Sequence, residues 1–339
     1  MKEGVYMALR VGVIGLGDVS IVHINAIKLS DKAELVAVCD IDETKMKLVE
    51  GANFYTDYNE MIEKENLDCV HICLPHYLHY PVTKEITSKK VNVLLEKPLC
   101  LNTEEVEKFN ELDRETDANI CICLQNRYNH TVKTLLEVIE SKKYGSVKAI
   151  KGIVAWNRPE SYYTTKPWRG KMEYSGGGVM INQAIHTIDL IQLLGGEIES
   201  VKGNISNLLN YDIEVEDTAM ANINFKNGAR GTFISTIAYA DNSSVEIEAI
   251  FENIRFVIKD STLYKYENGT QEIVVKDKLF EGAKHYYGSS HAELIDNYYN
   301  CLINDTNNYI RVSDASNSMR IIDSIRNSSK EEKLINWGN

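Results

Sequence analysis

Two residues far apart in the chain carry side chains suited to one reaction. Lys97 ends the run Val91-Asn92-Val93-Leu94-Leu95-Glu96-Lys97-Pro98, an apolar, strand-like segment that proline stops. His186 lies in the stretch that begins with Gly176-Gly177-Gly178 and ends Ala184-Ile185-His186-Thr187-Ile188-Asp189. An ammonium stabilises negative charge that develops on an oxygen, and an imidazole moves a proton near neutral pH. A glycine-rich turn upstream of both offers a seat for a dinucleotide, and the three features together suggest an enzyme that moves hydride.

That turn is Gly15-Leu16-Gly17-Asp18-Val19-Ser20, after a strand-like run and before a helix-like one. Gly15 and Gly17 allow a tight bend and close approach of the backbone to a pyrophosphate. The pyrophosphate then faces the helix amino end near Val19 and Ser20. Ser20 takes the place of a third glycine and is small enough for helix to pack on strand. Asp40 closes the second strand, where a carboxylate can accept both ribose hydroxyls and repel a 2′-phosphate. No arginine follows in Ile41-Asp42-Glu43, so NAD is favoured over NADP.

Positioning such groups requires a scaffold, and the first third of the chain supplies its pattern. Leu9–Ile14, Leu35–Cys39, Cys69–Leu74, Val91–Leu95 and Ile120–Leu124 are short β-branched or apolar runs separated by segments of helical spacing. The alternation predicts an α/β class with a doubly wound parallel sheet of Rossmann type over residues 1–126. Asn102 or Thr103 caps one of its helices, and a further helix is expected over Thr131–Lys143 with Gly145 as its stop.

Beyond it the pattern changes. Val147–Ala155, Ser200–Leu208, Asp217–Phe225, Ala229–Ala238, Val245–Phe251 and Arg255–Lys259 alternate, and Asn227-Gly228 suits a type I′ hairpin turn. An α+β domain with an open, mostly antiparallel sheet is therefore expected over 127–339. Ser290 and Glu293 suggest a capping box for a helix over His291–Leu302, and another helix is expected over Asp314–Asn327.

Composition narrows the partners. With 37 Lys+Arg against 49 Asp+Glu the net charge is -12, which disfavours nucleic acid and anionic membrane. The amino terminus has no signal-peptide core and no apolar run reaches membrane-spanning length, so a cytoplasmic protein is expected. Seven cysteines, mostly inside apolar runs, read as buried reduced thiols. No Cys-x-x-Cys pair exists, and His76 with His79 makes a poor zinc set, so no metal is expected.

With these residues in view, the chain resembles the Gfo/Idh/MocA superfamily of glucose-fructose oxidoreductases and inositol dehydrogenases. The matching positions are Gly15 to His23, Asp40, Leu74-Pro75-His76 with His79, Glu96-Lys97-Pro98, Gln125-Asn126-Arg127, Trp168-Arg169-Gly170 and Gly176 to Asp189. The resemblance implies that Lys97 is catalytic and that His186 acts as a general base of near-neutral pKa. If 176–189 is one helix, Asn182 and His186 share a face four residues apart. Relatives often carry aspartate where this chain has Asn182, which argues against inositol as substrate.

The resemblance also places Leu74, Pro75, His76, His79, Glu96, Gln125, Trp168 and Arg169 around the cofactor, and it implies a homodimer or homotetramer built through the open sheet. Specificity is expected in Trp156–Lys171, where aromatic rings can stack on a sugar and arginines can pair with oxygens. Arg127, Arg158, Tyr163, Arg169 and Asn182 are the expected substrate contacts, and the basic insertion in an acidic chain hints at an anionic sugar. Tyr287 and His291 precede the late helix, where they could reach the cleft but read first as parts of a helix cap, while His71, His130 and His285 have no assignable role. The expected function is NAD-dependent oxidation of a secondary hydroxyl of a sugar, sugar acid or polyol. The alternatives are a redox-neutral sugar enzyme that keeps its NAD, and a non-catalytic NAD-responsive regulator.

Overall fold

The computed structural model describes residues 8–278 and 290–338. Six strands, β1 (Leu9–Ile14), β2 (Ala33–Cys39), β3 (Asn53–Tyr55), β4 (Cys69–Ile72), β5 (Asn92–Glu96) and β6 (Ile120–Cys123), form a sheet in the order β3-β2-β1-β4-β5-β6. Every pairing in it is parallel. Strands β4 and β6 are buried at every position, as a parallel sheet covered on both faces demands. The helices between them are α1 (Ser20–Leu29), α2 (Tyr58–Glu65), α3 (His79–Ser88) and α4 (Thr103–Glu115). Asn102 caps α4 as expected, its side chain accepting from the Glu105 amide.

Strand order reverses between β1 and β4, which opens a crevice at their carboxyl ends. Gly15 follows β1 there with φ of +88°, and a Cβ on it would stand 2.6 Å from the carbonyl oxygen of Cys73, just beyond β4. The first glycine is thus fixed by backbone against backbone.

After α5 (His130–Glu140) come β7 (Ala149–Ala155), α6 (Ser161–Thr164), α7 (Met172–Ser175), α8 (Val179–Asn182) and α9 (Ile185–Gly195). Strands β8 (Ile198–Ser206), β9 (Thr218–Phe225), β10 (Arg230–Thr236), β11 (Glu246–Ile250), β12 (Ile254–Lys259), β13 (Thr262–Glu267) and β14 (Thr270–Lys276) follow. Then come α10 (Ser290–Asn304), α11 (Val312–Glu331) and β15 (Ile335–Asn336). The nine strands from β7 onward form a second sheet, ordered β14-β13-β12-β11-β7-β10-β9-β8-β15 and antiparallel except between β7 and β10. Helices α9 and α11 cover one face. The other stays open, with Met220 and Ile234 paired across β9 and β10 and both exposed.

Three expectations change. The 176–189 stretch is not one helix: Gly178 must pass so close to Glu216 that a Cβ would lie 1.8 Å from its carbonyl oxygen, and the helical turns break between α8 and α9. At Asn227-Gly228 the hairpin forms, but only Gly228 takes positive φ (84°), whereas a type I′ turn needs it at both residues. The amide of Gly228 instead closes the turn on the Phe225 carbonyl at 2.9 Å. Strands β13 and β14 went unforeseen because neither shows the alternation that marks a half-buried strand: β13 is buried or half-buried throughout and β14 is largely exposed.

The last helices return to the first sheet. Helix α10 lies against α1, where Lys32 Nζ is 2.6 Å from Asp296 Oδ1. Tyr298 donates its hydroxyl to the Asn119 carbonyl at 2.7 Å, and the Ile122 amide donates to the Ile310 carbonyl at 2.9 Å. Among the described residues no helix is long and apolar enough to cross a membrane.

Candidate active site

A cleft of about 1400 Å³ runs from the switch point of the first sheet to the covered face of the second. Its cofactor side is lined by Gly15, Gly17, Val19, Asp40, Leu74, Pro75 and His76, and its far side by Lys97, Gln125, Arg158, Trp168, Arg169, Asn182 and His186. All of these were expected site residues. Four others point elsewhere. Ser20 is buried beneath the turn, its hydroxyl donating to the Gly17 carbonyl at 2.7 Å. His79 is fully buried, with its two ring nitrogens 2.7 and 3.0 Å from the carbonyls of Pro98 and Leu74.

Arg127 turns away from the cleft to form a two-pronged bridge with Asp189, at 2.8 and 2.6 Å, which anchors α9. Tyr163 is packed inside, and Tyr162 is the ring that faces the cleft. Adjacent residues on the short helix α6 point different ways, and the sequence had offered no means of choosing between them.

The dinucleotide side fits its expected ligand. Asp40 ends β2 with Oδ2 accepting the Leu16 amide at 2.7 Å and Lys45 Nζ at 2.8 Å, and Oδ1 accepting the Asp42 amide at 3.0 Å. Burial alone would raise the pKa of this carboxyl, but Lys45 and the two amides outweigh it and hold the group below its usual range. A fixed anion therefore stands where ribose hydroxyls would donate. Gly17 borders open space, so its backbone is approachable.

Lys97 and His186 arrive from different sheets. Lys97 leaves the end of β5, and its Nζ donates to the backbone carbonyl of Asn182 at 3.0 Å. Burial lowers its pKa, opposed by the charge of Glu96. His186 sits in the first turn of α9, with Nε2 3.2 Å from the Gln125 amide nitrogen and no hydrogen-bond partner at Nδ1 among the described residues. Its pKa is not near neutral as expected: burial first, and the Lys97 charge second, push it down to about 3. The ring is neutral at ordinary pH, with Nε2 accepting from the Gln125 amide and Nδ1 carrying the hydrogen.

The basic insertion closes the cleft from the side. Arg158 lies 4.8 Å over the Trp156 ring and donates to Asn242 Oδ1 at 2.8 Å. Arg169 stacks 4.1 Å over Tyr162 and, with Lys166, reaches Asp18 of the glycine turn at 3.3 and 2.5 Å. Lys45 also lines the cleft and escaped sequence reasoning, as did the choice of Tyr162 over its neighbour within the expected stretch and of the cleft over a cap for His291. His291 is no helix cap. It enters the cleft from α10 with Nε2 3.8 Å from Glu96 Oε1, a meeting of residues that no local spacing could announce. Tyr287 and His285 lie outside the described residues. His76, once weighed for zinc, has Nδ1 2.7 Å from the Ser175 carbonyl.

Comparison with known proteins agrees with this build. Residues 9–124 match the model of an oxidoreductase family with an NAD-binding Rossmann fold, and residues 132–257 match the GFO/IDH/MocA C-terminal domain. Myo-inositol 2-dehydrogenase of Thermotoga maritima is 28% identical over 233 residues, covering 66% of this chain and 67% of that protein. The WlbA dehydrogenase of Bordetella pertussis, solved with NADH and UDP-GlcNAcA, superposes with a TM-score of 0.85 at 28% identity, covering 98% of this chain and 100% of that one. Levoglucosan dehydrogenase, solved with NADH and levoglucosan, shares the fold with a TM-score of 0.87 at 18% identity, over 98% of this chain and 100% of that one. Switch-point crevice, glycine turn, the Asp40 carboxylate beside it and both matched domains lead to one assignment: the chain belongs to the Gfo/Idh/MocA family of NAD-binding oxidoreductases.

Proposed function

We propose that the protein is an NAD-dependent dehydrogenase that oxidises a secondary hydroxyl of an anionic sugar. The observation that carries this reading is the meeting of Lys97 from the first sheet and His186 from the second in one cleft, at the carboxyl edge where a dinucleotide binds. When bound, nicotinamide supplies the hydride acceptor. His186 takes the hydroxyl proton at Nε2, the ring nitrogen that otherwise accepts from the Gln125 amide, and the Lys97 ammonium, moored on the Asn182 carbonyl, holds the oxygen and stabilises its alkoxide character as the carbonyl forms. The side-chain amide of Asn182 orients a neighbouring hydroxyl.

The anionic substrate follows from Arg158 and Arg169, each stacked on an aromatic ring at the cleft wall. The cleft exceeds the ~300–1,000 Å³ of an ordinary single-ligand site, which suits a dinucleotide beside a second bulky ligand. WlbA, the similar dehydrogenase solved with UDP-GlcNAcA, supports a sugar acid, free or nucleotide-linked, over a neutral polyol. NADH formation across a panel of polyols, sugar acids and nucleotide-linked sugar acids, with wild type and Lys97→Ala, tests the reading. Acidic sugars oxidised by wild type alone support it. Lys97→Ala turning over like wild type removes the mechanism, and NAD that co-purifies with no net NADH formed replaces it with redox-neutral chemistry.

We also propose a homodimer or homotetramer joined through the open face of the second sheet, where exposed Met220 and Ile234 sit side by side. Light scattering should give a multiple of the chain mass for wild type and a smaller species for Ile234→Glu. A wild-type monomer at micromolar concentration refutes the assembly.

A further inference from the structure

Behind Lys97 lies a chain of buried polar groups that the reaction above does not use. Tyr299 Oη is 2.9 Å from His71 Nε2, His71 Nδ1 is 2.9 Å from His23 Nδ1, and His23 Nε2 is 2.9 Å from Glu96 Oε1. Glu96 Oε2 then accepts the Lys97 amide at 3.1 Å, while His291 stands 3.8 Å from Oε1. Glu96 is 4% exposed, and the three other members of the chain are 0% exposed. They come from four separate places: α1, β4, β5 and α10.

A buried carboxylate costs several kcal/mol unless it is paired and hydrogen-bonded, and Glu96 is both, through His23 and the Lys97 amide. Burial alone would raise the pKa of the Glu96 carboxyl, but its hydrogen bonds to His23 and His291 outweigh it and hold the group well below the usual range, so Glu96 is an anion. Cys123 Sγ joins His23, Glu96 and His291 within 4.8 Å, a grouping that invites thought of a metal. The His23–Glu96 contact of 2.9 Å is however a hydrogen bond, closer than the roughly 3.3 Å between two ligands of one tetrahedral zinc.

Resting on the dehydrogenase reading, we propose that Glu96, clamped by His23 and His291, is a positioning residue that keeps Lys97 charged and fixed in place beside the reacting hydroxyl. The groups that act on Lys97 from the surrounding elements divide by sign. Burial and the Arg169 guanidinium oppose its ammonium and Glu96 favours it, while the Cys123 thiol, pushed up to about 12 by burial, stays neutral. His186, His76, His79 and His291 also face that charge, and each has its own pKa lowered chiefly by burial, so they add no competing positive charge at neutral pH. Glu96 is thus the one carboxylate among the groups that set the state of Lys97. Removing its charge must destabilise the ammonium, which moves deprotonation of Lys97 to lower pH.

The test uses the full chain labelled with ¹³C at lysine Cε, with Lys97→Ala identifying the Lys97 signal. In wild type Lys97 should remain ammonium through neutral pH. In Glu96→Gln its titration should move to lower pH, with the alkaline limb of the kcat profile moving the same way, and Glu96→Asp should restore the wild-type titration in part. A wild-type Lys97 that is neutral at pH 7, a Glu96→Gln titration that coincides with wild type, or stoichiometric metal in the purified protein would overturn the inference. A merely structural Glu96 lowers Tm without moving the titration. Because the spectrum needs no substrate, failure here is distinguishable from failure of the dehydrogenase reading, which loss of the Lys97→Ala effect on turnover would reveal.

Discussion

The two sides of the cleft are built by different means. On the dinucleotide side the contacts are main chain and strand ends: Gly15 is pinned by the Cys73 carbonyl and Asp40 by two amides. On the substrate side they are long side chains delivered by an insertion and by helices distant in sequence, with Arg158 on Trp156, Arg169 on Tyr162 and His291 beside Glu96. The first kind of site is set by the fold and tolerates little change. The second is set by which side chains happen to reach, so chemistry can be retained while specificity drifts.

Lys97 stands where the two sides meet, and its loss should have the largest effect. Lys97→Ala should lower kcat by about 10²–10³-fold, the scale for removing one donor to a developing oxyanion, with NAD affinity near wild type. Fluorescence titration of NAD alongside turnover separates these, and a parallel collapse of both would merge the two regions. On the dinucleotide side, Asp40→Ala removes charge-assisted hydrogen bonds worth about 1.5–3 kcal/mol, or roughly ten- to hundred-fold in Kd for NAD, and narrows the preference over NADP. Calorimetry with both dinucleotides reads this, and an unchanged ratio would show that Asp40 is not the discriminating group.

The smallest effect on catalysis is expected on the substrate side and gives the sharpest contrast. Tyr162→Ala removes the platform under Arg169 and should raise KM about ten-fold, with kcat and Tm changing little. Tyr163→Ala, one residue on, should cost about 3–5 kcal/mol of stability as a buried ring is lost, with KM near wild type. Thermal melts and initial rates on both variants decide the matter, and reversed outcomes would exchange the two roles.

The same contrast explains what was legible in the sequence. Strand, turn, helix, strand and acid lie within the first 40 residues and obey local rules, so the sheet and the places of Gly15, Gly17 and Asp40 along the crevice could be read directly. The second sheet was legible where one face is buried, as in β9 and β10, and not where both faces are wet, as in β14. Arg127 was misplaced because its partner Asp189 lies across the fold, and an arginine beside a conspicuous motif looks the same whether it grips a ligand or a carboxylate. The depressed pKa of His186 depends on enclosure and on Lys97, neither of which spacing encodes.

The return of the final helices to the first sheet bears on modularity. Asn119, next to the outermost strand, is held by the hydroxyls of Tyr298 and Tyr309, and Ile310 supplies β6 with its last backbone partner. The nucleotide-binding half is therefore not a detachable cartridge. Severed after residue 126, it would lose the cover over α1 and leave His71 without its phenolic neighbour, so grafting this half onto another catalytic partner would have to carry the tail as well.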